Sequence, residues 1–398
     1  MSVVAVSVRK SVGSWGRRLE FWYAAFAVHA GAVAVFSGPG QDRIWGIWAV
    51  CGYAIATPLA ARRHATAALG ASLLGALVGP VVWLATTAPP TPDVQVVARA
   101  AALALHHGTP YLSGGQLTSV IAYNPYLPLM SVFGLPSAVG VPGVPGDPRV
   151  WLALATVVLL AVAFRLVGRA DAMRCALFAL GSSVLAFPLA LGITDPPMLA
   201  LLCLTAALLG RGKLWPAAVA LGVACAMKAT AWPALPVFAA MLVARDGARN
   251  ATRFAAIAAA VTVGLVAVCA PAALGDPSAL VQNTILFPLG LTQARTPAAS
   301  PLPGHLLAST GPVGHLAAIG ILVVVGLGYA VSLVTRPPAG GPAAIRRLAV
   351  GLTLLFALAP ATRFGYFAYP IGLFGWLGLS HVRSPLASDY WETLDGST

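Results

Sequence analysis

From Phe21 onward the chain returns again and again to apolar runs of bilayer length, broken by short polar turns rich in arginine. In the hydrocarbon core no water satisfies backbone N–H and C=O groups, so a spanning segment is either a helix or a strand of a closed barrel. Barrel strands alternate apolar and polar residues over roughly ten positions, whereas these runs are continuous. Charged residues make up 9% of the chain and hydrophobic ones 59%, against about 25% charged in an ordinary soluble domain. The expected fold is therefore all-α, a polytopic membrane protein of ten to twelve spans. At about 20 apolar residues per span, fewer where neighbours cover a helix, the candidates are 21–37, 44–61, 65–87, 150–167, 175–193, 197–210, 214–226, 232–244, 254–272, 316–335, 348–360 and 367–380.

The formal net charge of +13 does not imply nucleic acid, because bases at the ends of apolar runs are what membrane orientation produces. The clusters Arg9 to Arg18, Arg62/Arg63, Arg165/Arg169/Arg174, Arg211/Lys213, Arg245/Arg249/Arg253, Arg336/Arg346/Arg347 and Arg383 hold 18 of the 24 bases. Placing all of them on the cytoplasmic side leaves six outside: Arg43, Arg99, Arg149, Lys228, Arg295 and Arg363. Successive inside clusters need an even number of crossings between them. The stretch from Lys213 to Arg245 is then a hairpin with Lys228 at its tip. By the same parity Asp195 and Arg363 each tip a hairpin, and Asp93 opens the longest outer loop. Four ionisable side chains are thus expected to converge on the extracytoplasmic face from separate hairpins.

This lattice makes residues 1–380 one transmembrane domain, with outer loops at 88–149 and 273–315, cytoplasmic termini and a polar tail at 381–398, in a cell inner or plasma membrane. The basic N-terminus before Phe21 reads as the flank of a retained first span, since more spans follow and no clear cleavage site appears. Five cysteines lie in or beside apolar runs without metal spacing and read as small hydrophobes.

Within the first loop, "TPDVQVVARAAALALHHG" (Thr91 to Gly108) reads as an interfacial amphipathic helix. Thr91 caps it, Pro92 suits its first position, Asp93 complements its dipole and Gly108 ends it. Asp93 is either only an N-terminal helix charge or a functional carboxylate. Lys228, in "CAMKATAWPALP", is either a counter-ion for a lipid phosphate or a snorkelling lysine. Arg363, in "ATRFGYFAYP" beside Tyr366 and Tyr369, offers a fork of donors to phosphate or an interfacial anchor. Asp195, in "GITDPPM", is a substrate contact or a turn residue. His107, Tyr111, Tyr123, Asn124 and Tyr126 of the first loop, and His305 and His315 of the second, complete the candidate substrate contacts. A phosphate-binding glycine loop, an HExxH motif and a soluble nucleotide-binding domain are all missing from the sequence. An enzyme built this way takes its donor from the membrane. No cofactor is implied, and although a divalent metal is compatible, no ligand spacing points to one.

The order of these motifs resembles the GT-C superfamily of membrane glycosyltransferases. The resemblance rests on the aspartate opening the first outer loop, "GTPYL", "YNPYLP", "TDPPMLALLCLTAALLGRGK", "ALGVACAMKATAWPALP" and "ATRFGYFAYP", and covers about 88–380. It is closest to the actinobacterial branch with the polyprenyl-phosphate-mannose-dependent mannosyltransferases. The resemblance implies a polyprenyl-phosphate sugar donor, a lipid or glycan acceptor, no nucleic acid partner and chemistry at the extracytoplasmic face. Carried onto matching positions, Asp93 becomes the general base, and Lys228 and Arg363 contact the phosphate. One departure stands out: Asp93 follows the third candidate span, whereas the family's aspartate usually follows the first. The alternative is a multi-span transporter or a flippase for lipid-linked substrates. Transporters, however, tend to hold ionisable groups at the midplane within repeats, and no internal repeat is visible.

Overall fold

The computed structural model describes residues 19–294 and 298–381. The N-terminal bases Arg9 to Arg18, Arg295 in the second loop and nearly all of the tail, including Arg383, lie outside the described residues. The described chain is helical, with one isolated parallel bridge between Ala299 and Thr362 as its β-structure.

Helices α1 (Leu19–Phe36), α2 (Gln41–Ala61) and α3 (Ala65–Thr87) form the N-terminal group. Next comes α4 (Pro92–His107), then α5 (Pro148–Leu166), α6 (Ala172–Gly181), α7 (Ser183–Leu191), α8 (Asp195–Gly210) and α9 (Leu214–Met227). The series ends with α10 (Ala234–Asp246), α11 (Ala248–Cys269), α12 (Pro312–Thr335), α13 (Gly341–Leu358) and α14 (Ala368–His381). Among the described residues, seven helices are long and apolar enough to cross a membrane, or eight if α6 and α7, bent by 66°, count as one span. The chain is a multi-pass membrane protein.

Each of the twelve candidate spans is helical, yet the long spans number fewer than ten to twelve because four segments are short. Helices α8, α9, α10 and α14 have 16, 14, 13 and 14 residues. At 1.5 Å per residue they reach about 24 Å or less, short of a hydrocarbon core of about 30 Å. They persist because protein, not lipid, surrounds the central ones. In α8, 13 of 16 residues are buried, against 11% of the best windows of α11 and α12. The ends of α8 and α9 that carry Asp195 and Lys228 are accordingly buried within the bundle.

Local chemistry explains the breaks. Pro80 has no N–H to give Ala76 O, and α3 slips into a π-turn at Leu74–Val78. The freed carbonyl accepts the Trp45 indole N–H at 2.7 Å. At the α6–α7 bend, the Tyr53 hydroxyl donates to Gly181 O at 2.8 Å. Glycine lets α2 meet α3 backbone to backbone, since a Cβ on Gly52 would lie 2.7 Å from Gly75 Cα.

The chain direction follows from the contacts at the two ends of the bundle. At one end Arg211 donates to Leu166 O, Arg245 to Leu209 O at 3.1 Å, and Arg347 to Arg336 O at 3.2 Å. The basic turns therefore gather there. The tips bearing Asp195, Lys228 and Arg363 lie at the opposite end, beneath α4.

Candidate active site

Helix α4 places the first acid. Thr91 Oγ1 accepts from Val94 N at 3.4 Å and donates to Leu191 O at 2.7 Å, fixing the helix start against the end of α7. Gly108 ends it with φ +66°, a left-handed turn that favours glycine. Val94, Val97 and Ala101 are buried, whereas Leu105 near the end of the helix is exposed. Arg99 donates to Ile121 O and to Ala122 O, the latter at 3.0 Å, and so holds the following loop against α4. That loop delivers Tyr126, whose hydroxyl donates to Asp93 Oδ1. Burial, and then the neighbouring Asp93 carboxylate, push the Tyr126 phenol well above its ordinary pKa. Tyr126 therefore keeps its proton and is the donor.

Helix α9 stops at Lys228 because Pro233 and Pro236 bar a continuous helix to Arg245, and the Lys228 backbone is extended. Its Nζ donates to Asp195 Oδ1 at the start of α8. The same carboxylate oxygen accepts from the Tyr369 hydroxyl at 2.9 Å, and Tyr369 is 2.9 Å from Thr230 Oγ1. The ammonium also lies over the rings of Tyr126 and Tyr366, 5.5 and 5.4 Å from their centroids.

Arg363 comes from the turn between α13 and α14. Ser300 N donates to Thr362 O at 3.0 Å, Thr362 N to Ala298 O at 2.8 Å and Phe364 N to Ser300 Oγ at 3.0 Å, so the second loop grips this turn from both sides of Arg363. Its guanidinium lies 3.7 Å from Asp93 Oδ2, closing a ring of groups. Asp93, Tyr126, Asp195, Lys228, Arg363, Tyr366 and Tyr369 form one cluster with two carboxylates and two cations.

The other candidates lie around this cluster. Tyr111 is buried and donates to Tyr126 O at 3.0 Å. Asn124 Oδ1 accepts from Tyr126 N at 3.1 Å, and Asn124 N donates to Asn283 Oδ1 at 2.8 Å. Tyr123 stacks on Phe287 with centroids 4.4 Å apart. These three tie the two outer loops together behind Tyr126 and do not join the cluster. His305 Nδ1 is 2.9 Å from Pro360 O, bracing the Arg363 turn. His315 Nε2 is buried without a partner, away from the cluster beside Gly290. His107 is exposed at the opposite end of α4 from Asp93. Asn283 and Thr230 enter only through the structure, because one amide in the polar run 282–284, or one hydroxyl in an apolar turn, carries no signal of its own. Among the described residues, no three His, Cys, Asp or Glu side chains gather as a metal site requires.

A scan of family models matches Glycosyltransferase family 87 over residues 123–382. The chain belongs to glycosyltransferase family 87. It is thus a membrane glycosyltransferase, acting on a sugar donor and a lipid or glycan acceptor at the bilayer. The matched segment carries Tyr126, Asp195, Lys228, Arg363 and Tyr369, whereas Asp93 precedes it. No curated protein and no solved structure gives a match.

The bundle also holds an apolar groove of about 540 Å³. Leu199 of α8 and Gly372 of α14 line it, one helical turn past Asp195 and Tyr369 and on their faces. From there it runs between α1, α5, α6 and α14 to Arg169, at the basic end of the bundle.

Proposed function

We infer that this glycosyltransferase moves a hexose such as mannose from a polyprenyl-phosphate donor to a lipid or cell-envelope glycan, with inversion. The observation that carries the reading is the cluster itself. One carboxylate with a dedicated phenol donor stands 3.7 Å from an arginine, at the bundle end opposite the basic turns. Asp93 takes the acceptor hydroxyl's proton as that oxygen attacks the anomeric carbon and the bond from this carbon to the phosphate oxygen breaks. A positioned carboxylate contributes about 10²–10⁴-fold to such a step. Arg363 and Lys228 stabilise the charge that grows on the departing phosphate. Arg363 is the more available of the two, since Lys228 is already held by Asp195.

The groove beneath the cluster supports a donor carrying a long apolar chain. Gly375, with no atom within 4 Å of an added Cβ, leaves room in its wall for that chain. The arginine-rich turns support a cytoplasmic location for the opposite end and for both termini, and with it chemistry at the extracytoplasmic face of the plasma membrane.

The test is purified enzyme in nanodiscs with radiolabelled polyprenyl-phosphate mannose and a membrane lipid extract as acceptor. Label in a new glycolipid, abolished by Asp93→Asn, supports the reading. Near wild-type turnover by Asp93→Asn rules out the base, and absence of transfer from any polyprenyl-phosphate sugar rules out the donor.

A further inference from the structure

The start of α8 is missing two donors that a helix start normally supplies. Thr194 occupies its N-cap and Asp195 its first position, followed by Pro196 and Pro197. An N-cap hydroxyl ordinarily accepts from the backbone N–H of the second or third helical residue. Here those residues are the two prolines, which have no N–H. Thr194 Oγ1 is accordingly buried without a partner, and so is Oδ2 of the next residue, Asp195. Both residues are nine-tenths buried or more: Thr194 is 0% and Asp195 2% exposed. The other carboxylate oxygen is fully engaged by Lys228 and Tyr369, so Asp195 is locked in orientation with one oxygen to spare.

A buried carboxylate oxygen without a donor is costly, and buried polar atoms left open in a native site call for a ligand that completes them. The geometry points to a sugar-binding subsite in which Asp195 Oδ2 and Thr194 Oγ1 hold adjacent hydroxyls of the transferred sugar. The chemistry fits a polyol: the carboxylate only accepts and the threonine hydroxyl both accepts and donates, as neighbouring ring hydroxyls require. An ionised phosphate oxygen only accepts and so gives Oδ2 no hydrogen, whereas a sugar hydroxyl does. Asp195 is then the group that reads the sugar, whereas Asp93 serves the acceptor. This assignment rests on the donor reading given above.

The experiment uses purified full-length enzyme, polyprenyl-phosphate mannose and its 2-, 3-, 4- and 6-deoxy forms. A site built to hydrogen-bond a hydroxyl rejects the analogue lacking it strongly. At least one deoxy donor is expected to lose about 100-fold or more in kcat/KM on the wild type. In Asp195→Asn that penalty is expected to shrink to about threefold, because the parent sugar has lost its acceptor too. Thr194→Val keeps the shape and the Lys228–Asp195 pair, and carries the same comparison if Asp195→Asn fails to fold. Wild-type enzyme that takes all four deoxy donors within about threefold of the parent overturns the subsite. So does a deoxy penalty that stays whole in the variants, which means that water or a cation fills the gap. Failure to transfer mannose even from the parent donor is a different result, and it removes the donor reading together with this one.

Discussion

The cluster contains two acid–base pairs of opposite character. Asp195 and Lys228 are in hydrogen-bond contact with side chains 3% and 11% exposed, whereas Asp93 and Arg363 stand 3.7 Å apart at 22% and 38%. The first pair joins two short central helices inside the matched family segment. The second joins an interfacial helix that precedes that segment to a turn gripped by the second loop. A buried pair is rigid, and breaking it strands a charge in a low dielectric. An open pair contributes little stability, and its members are free to exchange one another for a ligand. On the proposed function, the buried pair holds the site and its ligand in place, and the open pair supplies the base and the more available cation.

The largest effect expected from this contrast is in turnover. Asp93→Asn is expected to cut kcat by about 10²–10⁴-fold with its thermal unfolding midpoint close to wild type, because the open pair contributes only about 0–1 kcal/mol. Rate and melting curves on the same detergent sample check both halves. A large drop in melting temperature with modest loss of rate would reverse the roles of the two pairs.

Next comes the stability of the buried pair. Lys228→Met leaves the Asp195 carboxylate uncompensated and is expected to cost about 3–5 kcal/mol. Converting both residues, as Lys228→Met with Asp195→Leu, is expected to recover most of that stability while remaining inactive. Arg363→Met is expected to melt normally but to lower kcat with the lipid donor, since it withdraws stabilisation from the charge that grows on the departing phosphate. If Lys228→Met and Arg363→Met destabilise equally, the buried-versus-open distinction fails.

The two pairs were not equally legible in the sequence. Lipid forces every span to satisfy its own backbone and every turn to declare its side by arginine. That is why hairpins tipped by Asp195, Lys228 and Arg363 could be drawn from basic clusters alone. Pairing is another matter. Asp195 meets Lys228 across 33 positions and Tyr369 across 174, and no local pattern encodes such partners. Composition also failed to separate Tyr126, which touches Asp93, from Tyr111 and Tyr123, which brace the loops, because all three read as tyrosines in an outer loop. The short central helices looked like ordinary spans, since hydropathy records apolar character and not whether lipid or protein supplies the neighbour.

A smaller effect tests the groove. Gly375→Leu projects a side chain into space that is empty of other atoms. It is expected to raise KM about tenfold for a long-chain donor, in line with the 1–3 kcal/mol by which a hydrophobic pocket responds to small changes in shape. A donor whose chain is too short to reach past Leu199 is expected to be unaffected. Equal loss with both donors would mean that the substitution disturbs the cluster through α14 instead of filling a chain-binding groove.

The smallest expected effects separate bracing from contact among the outer-loop residues. Tyr126→Phe removes one hydrogen bond to Asp93 and is expected to lower kcat about tenfold, from a loss of about 1–1.5 kcal/mol. His107→Ala lies at the far, exposed end of the same helix and is expected to change kcat, KM and melting temperature by less than twofold or about 0.5 kcal/mol. Because Tyr126 contacts the first turn of α4 and His107 lies in its last, the pair controls for disturbance of the helix itself. If His107→Ala matched Tyr126→Phe, the ligand would have to extend along the whole of α4, and the reacting centre could no longer be confined to the ring of groups around Asp93.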